Sequence, residues 1–283
     1  MTDPAPSQRL YPADSSRPLH RAGSRTAGRA DSRTADRTDS RPGRRTTGVA
    51  AALRWAAPRC SFVEEEVAGL GELVAPGDVC LDIGAEYGLY TWTLAALAGP
   101  SGRVHSVEPL PGPARWLRTG ARLLGCGNVT VHCTALGARP GHGTLSLPRR
   151  KGLPVHGRAF LTQGASGPGP NSEFRTSRPV RTPVQTLDQL VRRAGIEKLG
   201  FVKADVEGAE LAVLTGAQEA LRRCRPTLLL EIESRHLDKY GARPADVVSH
   251  LQDFGYGLHR RYRGRWTETT RITDDFRNYL FVS

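Results

Sequence analysis

Val79-Cys80-Leu81-Asp82-Ile83-Gly84-Ala85-Glu86-Tyr87-Gly88 holds the pattern that decides the fold of this 283-residue chain. Residues 79–83 are apolar except for Asp82, too short for a helix, and suited to a parallel strand covered on both faces. Gly84 and Gly88 have no Cβ, so the backbone can turn through positive φ and approach a flat ligand. Helical spacing starts at once over residues 90–97, whose leading N–H groups and positive dipole end face the same ligand. Asp82, at the carboxyl end of the strand, is placed to accept hydrogen bonds or to neutralise a cationic ligand.

A dinucleotide fingerprint is G-x-G-x-x-G, aimed at a pyrophosphate. The spacing here is D-x-G-x-x-x-G. An acid at this loop suits an amino or sulfonium centre, so S-adenosylmethionine is the expected cofactor. Downstream, Arg103-Val104-His105-Ser106-Val107-Glu108-Pro109 reads as a second strand ending in an acid, the place where doubly wound folds hold ribose hydroxyls. Asp82, Gly84, Ala85, Glu86, Tyr87, Gly88, Glu108 and Pro109 are therefore the expected cofactor-binding residues.

A second block, Phe201-Val202-Lys203-Ala204-Asp205-Val206-Glu207-Gly208-Ala209-Glu210 followed by Leu214-Thr215-Gly216-Ala217, resembles the hallmark of the FkbM family of S-adenosylmethionine-dependent methyltransferases. The resemblance extends to Asp82-Ile83-Gly84-Ala85, Val107-Glu108-Pro109, Asn128-Val129-Thr130-Val131 with Ala135-Leu136-Gly137, and Gln185-Thr186-Leu187-Asp188. It covers about residues 76–233. The chain departs from the family at Glu86, where Asn is common, and around Glu231-Ile232-Glu233-Ser234-Arg235-His236. The resemblance implies a Rossmann-like sheet, S-adenosylmethionine as cofactor, and O-methylation of a hydroxyl on a small molecule such as a polyketide or sugar.

The length allows one domain with a full core plus appendages. No apolar run reaches 18 residues, so no membrane span is expected. Cys60, Cys80, Cys126, Cys133 and Cys224 are scattered without C-x-x-C pairs, as in a reduced cytoplasmic protein rather than a disulfide or zinc framework. The formal charge of +12 would suit a polyanionic partner. Yet residues 1–50 hold ten Arg against five Asp, and only four of the 40 basic residues are lysine, which points to compositional bias. Nucleic acid is thus disfavoured as a partner, and the oligomeric state is left open.

Within that segment Arg17, Arg21, Arg25, Arg29, Arg33, Arg37, Arg41 and Arg45 recur every four residues among poor helix formers. With no apolar face to bury, residues 1–50 are expected to be a disordered tail, and residues 51–283 the catalytic domain. Further on, residues 62–74, 114–124, 186–194, 209–223 and 244–254 read as helices. Residues 128–136, 201–206 and 227–232 read as strands, and 256–262 with 279–282 as a closing hairpin. Residues 141–147 alternate at period two, a β excursion. Residues 148–179, rich in Gly and Pro, are expected to be a loop-like insertion and a substrate lid. This alternation predicts a doubly wound, mostly parallel α/β sheet with an antiparallel C-terminal hairpin.

Methyl transfer to a hydroxyl needs near-attack geometry and an acceptor for one proton. Asp205, ending a central strand, is the leading candidate both for cofactor positioning and for catalysis, with Glu207, Glu231 and His236 as further candidates for the base. A metal site built from Asp205, Glu231, Glu233 and His236 has no diagnostic spacing, and no metal is expected. The rival readings are a nucleic-acid methyltransferase, which would carry an Asn-Pro-Pro-Tyr type segment, a non-catalytic cofactor-binding interaction module, and an NAD(P)-dependent oxidoreductase, whose glycine spacing is absent.

Overall fold

The computed structural model describes residues 44–60, 63–167 and 176–283. In chain order it begins with α1 (Arg44–Ala56), α2 (Glu66–Gly69), β1 (Val79–Ile83), α3 (Leu89–Ala98), β2 (Arg103–Val107), α4 (Pro111–Leu124), β3 (Val129–His132) and β4 (Ala135–Leu136). An arm follows, made of β5 (Gly141–Arg150), β6 (Leu153–Pro154), β7 (Phe160–Leu161) and β8 (Thr176–Gln185). The chain returns through α5 (Leu187–Arg193), β9 (Phe201–Ala204), α6 (Glu210–Thr215), α7 (Gln218–Cys224) and β10 (Thr227–Glu231). It closes with α8 (Ser234–Leu237), α9 (Pro244–Gln252), β11 (Gly257–Tyr262), β12 (Arg265–Glu268) and β13 (Asn278–Val282).

Eight strands form the main sheet in the order β12-β11-β13-β10-β9-β1-β2-β3. The five from β3 to β10 are parallel, and β13, β11 and β12 extend them antiparallel. Side-chain alternation along the strands separates two cores. Leu81, Ile83, Val202, Ala204, Leu228 and Leu230 face the layer of α5, α6, α7 and α9. Cys80, Val104, Phe201, Leu229 and Leu280 face the layer of α2, α3 and α4. From β1 the chain moves to β2 and β3 on one side, then crosses back to β9 and β10 on the other. That reversal opens a crevice beyond the carboxyl ends of β1 and β9, where open α/β sheets bind ligands.

The structure departs from the sequence-based reading in five places. β11 pairs with β13 as expected, but its hairpin partner is β12, and β13 lies between β11 and β10. The connecting residues Arg263 and Gly264 both have positive φ (49° and 75°), a two-residue turn without the Asn-Gly signature. The segment 209–223 is two helices, and Asp188 caps the second by accepting from the N–H groups of Glu219 (3.0 Å) and Ala220 (2.8 Å). Thr186 caps α5 as expected, accepting from the Gln189 N–H at 3.1 Å. The lead-in helix is shorter than expected, α2 and one 3-10 turn, with Val67, Leu70 and Val74 packed on the sheet.

The fourth difference is the arm. β5 and β8 pair antiparallel from Gly141↔Val184 to Arg149↔Thr176, so both ends of the expected loop 148–179 are strand. Pro148, Pro179 and Pro183 hid this, but a narrow ribbon tolerates proline where a missing N–H has no partner to lose. Residues 168–175 of that insertion lie outside the described residues.

The fifth is the N-terminal boundary. The expected tail ends at residue 50, whereas α1 starts at Arg44. Thr46 donates to the Leu124 carbonyl at 2.8 Å, and Val49, Ala50 and Leu53 pack inward. Residues 1–43, with most of the arginine repeat, lie outside the described residues. Among the described residues no helix is long and apolar enough to cross a membrane.

Candidate active site

Gly84 lets the two central strands approach each other. A Cβ there would stand 1.8 Å from the Asp205 carbonyl oxygen, and its φ of +80° is costly for any residue but glycine. Gly88 opens α3 with φ +91°, and a Cβ on it would meet the Trp92 indole at 2.5 Å. The loop between them carries Glu86, also at positive φ (43°), with its side chain turned over the crevice.

Two cavities share this crevice. The first, about 710 Å³, is bounded by Gly84, Glu86, Glu108, Pro109, Asp205 and Glu207, with an apolar floor that includes Leu110 and Leu136. The second, about 750 Å³, is bounded by Glu64, Tyr87, Arg158, Glu231 and Arg277. Glu86, His156, Gly157, Asp205 and Glu207 line both.

In the first cavity Glu108 is buried and rigidly held. Its Oε2 accepts from the Glu86 N–H at 3.0 Å and its Oε1 from the Leu110 N–H at 2.7 Å. Burial pushes its carboxyl up to about 7, against those two hydrogen bonds. Each oxygen keeps a lone pair, the acceptor set that the hydroxyls of a ribose diol can donate to.

Asp82, Ala85 and Gly88 border neither cavity, which corrects the expected contacts. Asp82 alternates onto the α3 face of β1, where the Thr91 hydroxyl donates to it at 2.5 Å and itself contacts the Ser106 hydroxyl at 2.8 Å. Burial raises its carboxyl to about 6. Ala85 and Gly88 shape the loop, with the Ala85 N–H on the Val107 carbonyl and the Gly88 N–H on the Ala85 carbonyl. Tyr87 is half exposed and borders the second cavity, its hydroxyl 2.7 Å from His156 Nδ1.

Of the candidate catalytic residues, Asp205 and Glu231 come together at the carboxyl ends of β9 and β10. With Glu64 they form a group of three carboxylates whose nearest oxygens lie within 4.8 Å of one another. Glu231 is pushed far above the usual carboxylate range by burial first, then by the Asp205 charge and a hydrogen bond with it. Lys203 is fully buried beneath the group. Burial alone would lower its ammonium pKa, but Asp205, Glu64, Glu231 and Asp82 raise it above the usual value. Glu64 also accepts from the Tyr90 hydroxyl and from the Asn278 amide.

Three nitrogens surround Glu207: Arg158 Nη1 donates to it at 3.1 Å, Lys239 Nζ stands at 3.6 Å and His236 Nε2 at 3.3 Å. Burial, then the Asp205 charge, raises its carboxyl to about 7. His236 stands behind Glu207 and borders neither cavity, a correction of its expected place at the acceptor. Burial and then Lys239 depress its imidazole to about 4. Glu233, weighed as a metal ligand, accepts from Arg235 at 2.6 Å and interacts with Glu231 beside it. Sequence reasoning missed Glu64, His156 and Lys239 as neighbours of the site. The acidic run at 64–66 was the one available signal for Glu64, whereas His156 and Lys239 reach the site only through the arm and its seat.

A doubly wound sheet with a ribose-type carboxylate after its second strand and a carboxylate pair after its fourth defines a nucleotide-cofactor transferase site of the methyltransferase kind. The model of the methyltransferase FkbM domain matches residues 82–258, and the chain belongs to that family. S-adenosylmethionine is its cofactor, and the free lone pairs of Glu108 have the chemistry to accept from its ribose hydroxyls. Relatives include the 31-O-demethyl-FK506 methyltransferase FkbM of Streptomyces tacrolimicus, 29% identical over 166 residues, or 53% of this chain and 63% of that protein. The AMB antimetabolite synthetase AmbE of Pseudomonas aeruginosa is 28% identical over 216 residues, 67% of this chain and 10% of the synthetase. The chain thus spans less than two thirds of either relative's length. Among solved structures, the methyltransferase FkbM of Methylobacillus flagellatus KT superposes with a TM-score of 0.44 at 17% identity, over 84% of this chain and 59% of that one.

Proposed function

We propose that this protein transfers a methyl group to a hydroxyl of a small-molecule acceptor held in the second cavity, with the Asp205–Glu231 pair receiving the hydroxyl proton. The observation that carries the reading is the approach of Asp205 and Glu231, whose nearest carboxylate oxygens lie with one of Glu64 within 4.8 Å of one another, at the boundary of the cofactor cavity and its neighbour. When bound, S-adenosylmethionine supplies an electrophilic methyl group. The chain's part is to hold the acceptor oxygen in line with it, exclude water and take one proton. Asp205 is the proton acceptor in this reading, because it lines both cavities and stands beside Glu231 at the strand ends, with Lys203 buried beneath. Glu64 supplies a further acceptor for neighbouring hydroxyls of a polyol or polyketide. The name of the Streptomyces tacrolimicus relative, an O-demethyl substrate methyltransferase, supports this class.

The test is incubation with methyl-labelled cofactor and panels of hydroxylated macrolides, sugars, amines and RNA. Label in an ether on a small hydroxylated acceptor, lost in Asp205→Asn while cofactor affinity is kept, supports the proposal. A second reading, RNA as acceptor, draws on Arg149, Arg150, Lys151, Arg178 and Arg181, all exposed on the arm. Label confined to RNA would favour it and overturn the first.

A further inference from the structure

Between the two cavities runs the 3-10 turn His156–Arg158, and each of its three residues contacts a different part of the crevice rim. His156 Nδ1 lies 2.7 Å from the Tyr87 hydroxyl. Gly157 faces the Glu86 carboxylate and donates its N–H to it, with a Cβ position only 3.1 Å from Oε2. Arg158 Nη1 reaches Glu207 Oε1 and His236 Nε2, both at 3.1 Å. Tyr87 and Glu86 follow β1, Glu207 follows β9 and His236 follows β10, so one turn of the arm joins the carboxyl ends of three central strands.

The Arg158 end of the turn is the strong one. Glu207 is buried, with its backbone at φ 56°, a conformation that costs about 1 kcal/mol or more for a non-glycine residue. Its carboxylate has Lys239 at 3.6 Å, farther than Arg158 at 3.1 Å, and the Lys239 ammonium is also 4.5 Å from the Phe160 ring centroid. Arg158 therefore provides the nearer cation for Glu207, a charge-assisted contact that loses most when one partner is removed. Donation from Arg158 to Nε2 also selects the neutral His236 tautomer with its proton on Nδ1.

We propose that Arg158 is a positioning residue: through Glu207 and His236 it pins the His156–Arg158 turn against the crevice, so that the wall shared by the two cavities is set when the cofactor is held. The inference rests on the methyltransferase reading of the same site, but it concerns retention of the cofactor and needs no knowledge of the acceptor. Glu207 is then the anchor of the turn and not the base.

The experiment measures equilibrium affinity and dissociation rate of S-adenosylmethionine and its demethylated product on the full chain, with amide hydrogen exchange over residues 154–161 and urea midpoints. The variants are Arg158→Ala, Arg158→Lys and Glu108→Ala. Arg158→Ala is expected to weaken cofactor binding about tenfold, mainly through faster dissociation, and to speed exchange in the turn with little change in urea midpoint. Arg158→Lys, which keeps the charge but loses the reach and planarity of the guanidinium, should recover part of the affinity. Wild-type affinity and dissociation in Arg158→Ala would overturn the proposal, and so would a loss that tracks a fallen urea midpoint and is not recovered by lysine. Glu108→Ala separates the two levels. If it weakens binding while Arg158→Ala does not, the positioning role alone fails, and if neither does, the cofactor site itself is misplaced.

Discussion

At the scale of single residues, the chemistry of the crevice follows from which face of a strand a side chain occupies. Glu108, just past β2, keeps lone pairs toward the cofactor cavity, while Asp82 spends its own on Thr91. Glu108→Ala should therefore weaken cofactor affinity by about 10- to 100-fold, the worth of hydrogen bonds to a charged group at about 1.5–3 kcal/mol, as read by calorimetry. Asp82→Ala should act mainly on stability, with a smaller effect on affinity. Gly84→Ala combines positive φ with a clash against the Asp205 carbonyl, so a loss of more than about 2 kcal/mol is expected from urea unfolding. Buried carboxyls also give the apoprotein a pH dependence. Glu108, Glu207 and Glu210 are each raised from 4.5 to about 7, mainly by burial, so between those values the native state keeps protons that the unfolded state has lost. Stability then falls as pH rises through that window. His105 and His236, lowered from 6.5 to about 4 by burial first, act in the opposite sense and offset the carboxyls only below 6.5. The urea midpoint of the apoprotein should consequently drop between pH 6.5 and about 8, and a rise over that interval would show these carboxyls already ionised in the fold. The strand-end acids were legible in the sequence as residues, but their directions were not. Period two says that Asp82 and Ile83 face opposite ways and does not say which layer holds the ligand.

At the scale of elements, caps and turns explain both the successes and the errors of the sequence reading. Thr186 announced α5 because its hydroxyl meets the N–H of Gln189 three residues on, a local contact. Asp188 stands in the same short motif, yet it caps α7, some 30 residues away, and no local pattern records a tertiary cap. Thr186→Ala should cost about 1 kcal/mol, and Asp188→Ala at least as much because two N–H groups lose their acceptor, both measurable as urea-midpoint shifts. The five parallel strands were readable because each is a short apolar run beside a turn or a helix. β12 was not, since Arg265-Trp266-Thr267-Glu268 is polar at every position but Trp266 and its Arg-Gly turn lacks the Asn-Gly or Asp-Gly signature. The arm was read as a loop because glycine and proline dominate its sequence, while its strand pairing is a non-local property of β5 with β8.

At the scale of the whole molecule, the described chain is one sheet with helices on both faces and one excursion. The N-terminal helix α1 belongs to it. Deleting residues 1–43 should leave cofactor affinity unchanged, whereas deleting residues 1–56 removes Thr46, Ala50 and Leu53 from the α3 and α4 layer and should lower the thermal midpoint by several degrees or give insoluble protein. Equal thermal midpoints for the two truncations would show that α1 contributes nothing to the layer. The segments that lead into and out of the excursion pair with each other in its own smaller sheet: Ala135 and Leu136 of β4 lie beside Val184 and Gln185 of β8, and the Gly137 N–H meets the Gln185 carbonyl at 3.1 Å. Entry and exit are thus stitched together before the arm begins. Such a junction makes residues 138–183 an interchangeable cassette: a graft of different length, charge or curvature can replace them without altering the register of the eight-stranded sheet. Only the His156–Arg158 turn would have to be kept in such a graft, since it walls the cofactor cavity, while the outer reaches of the arm are free to diverge.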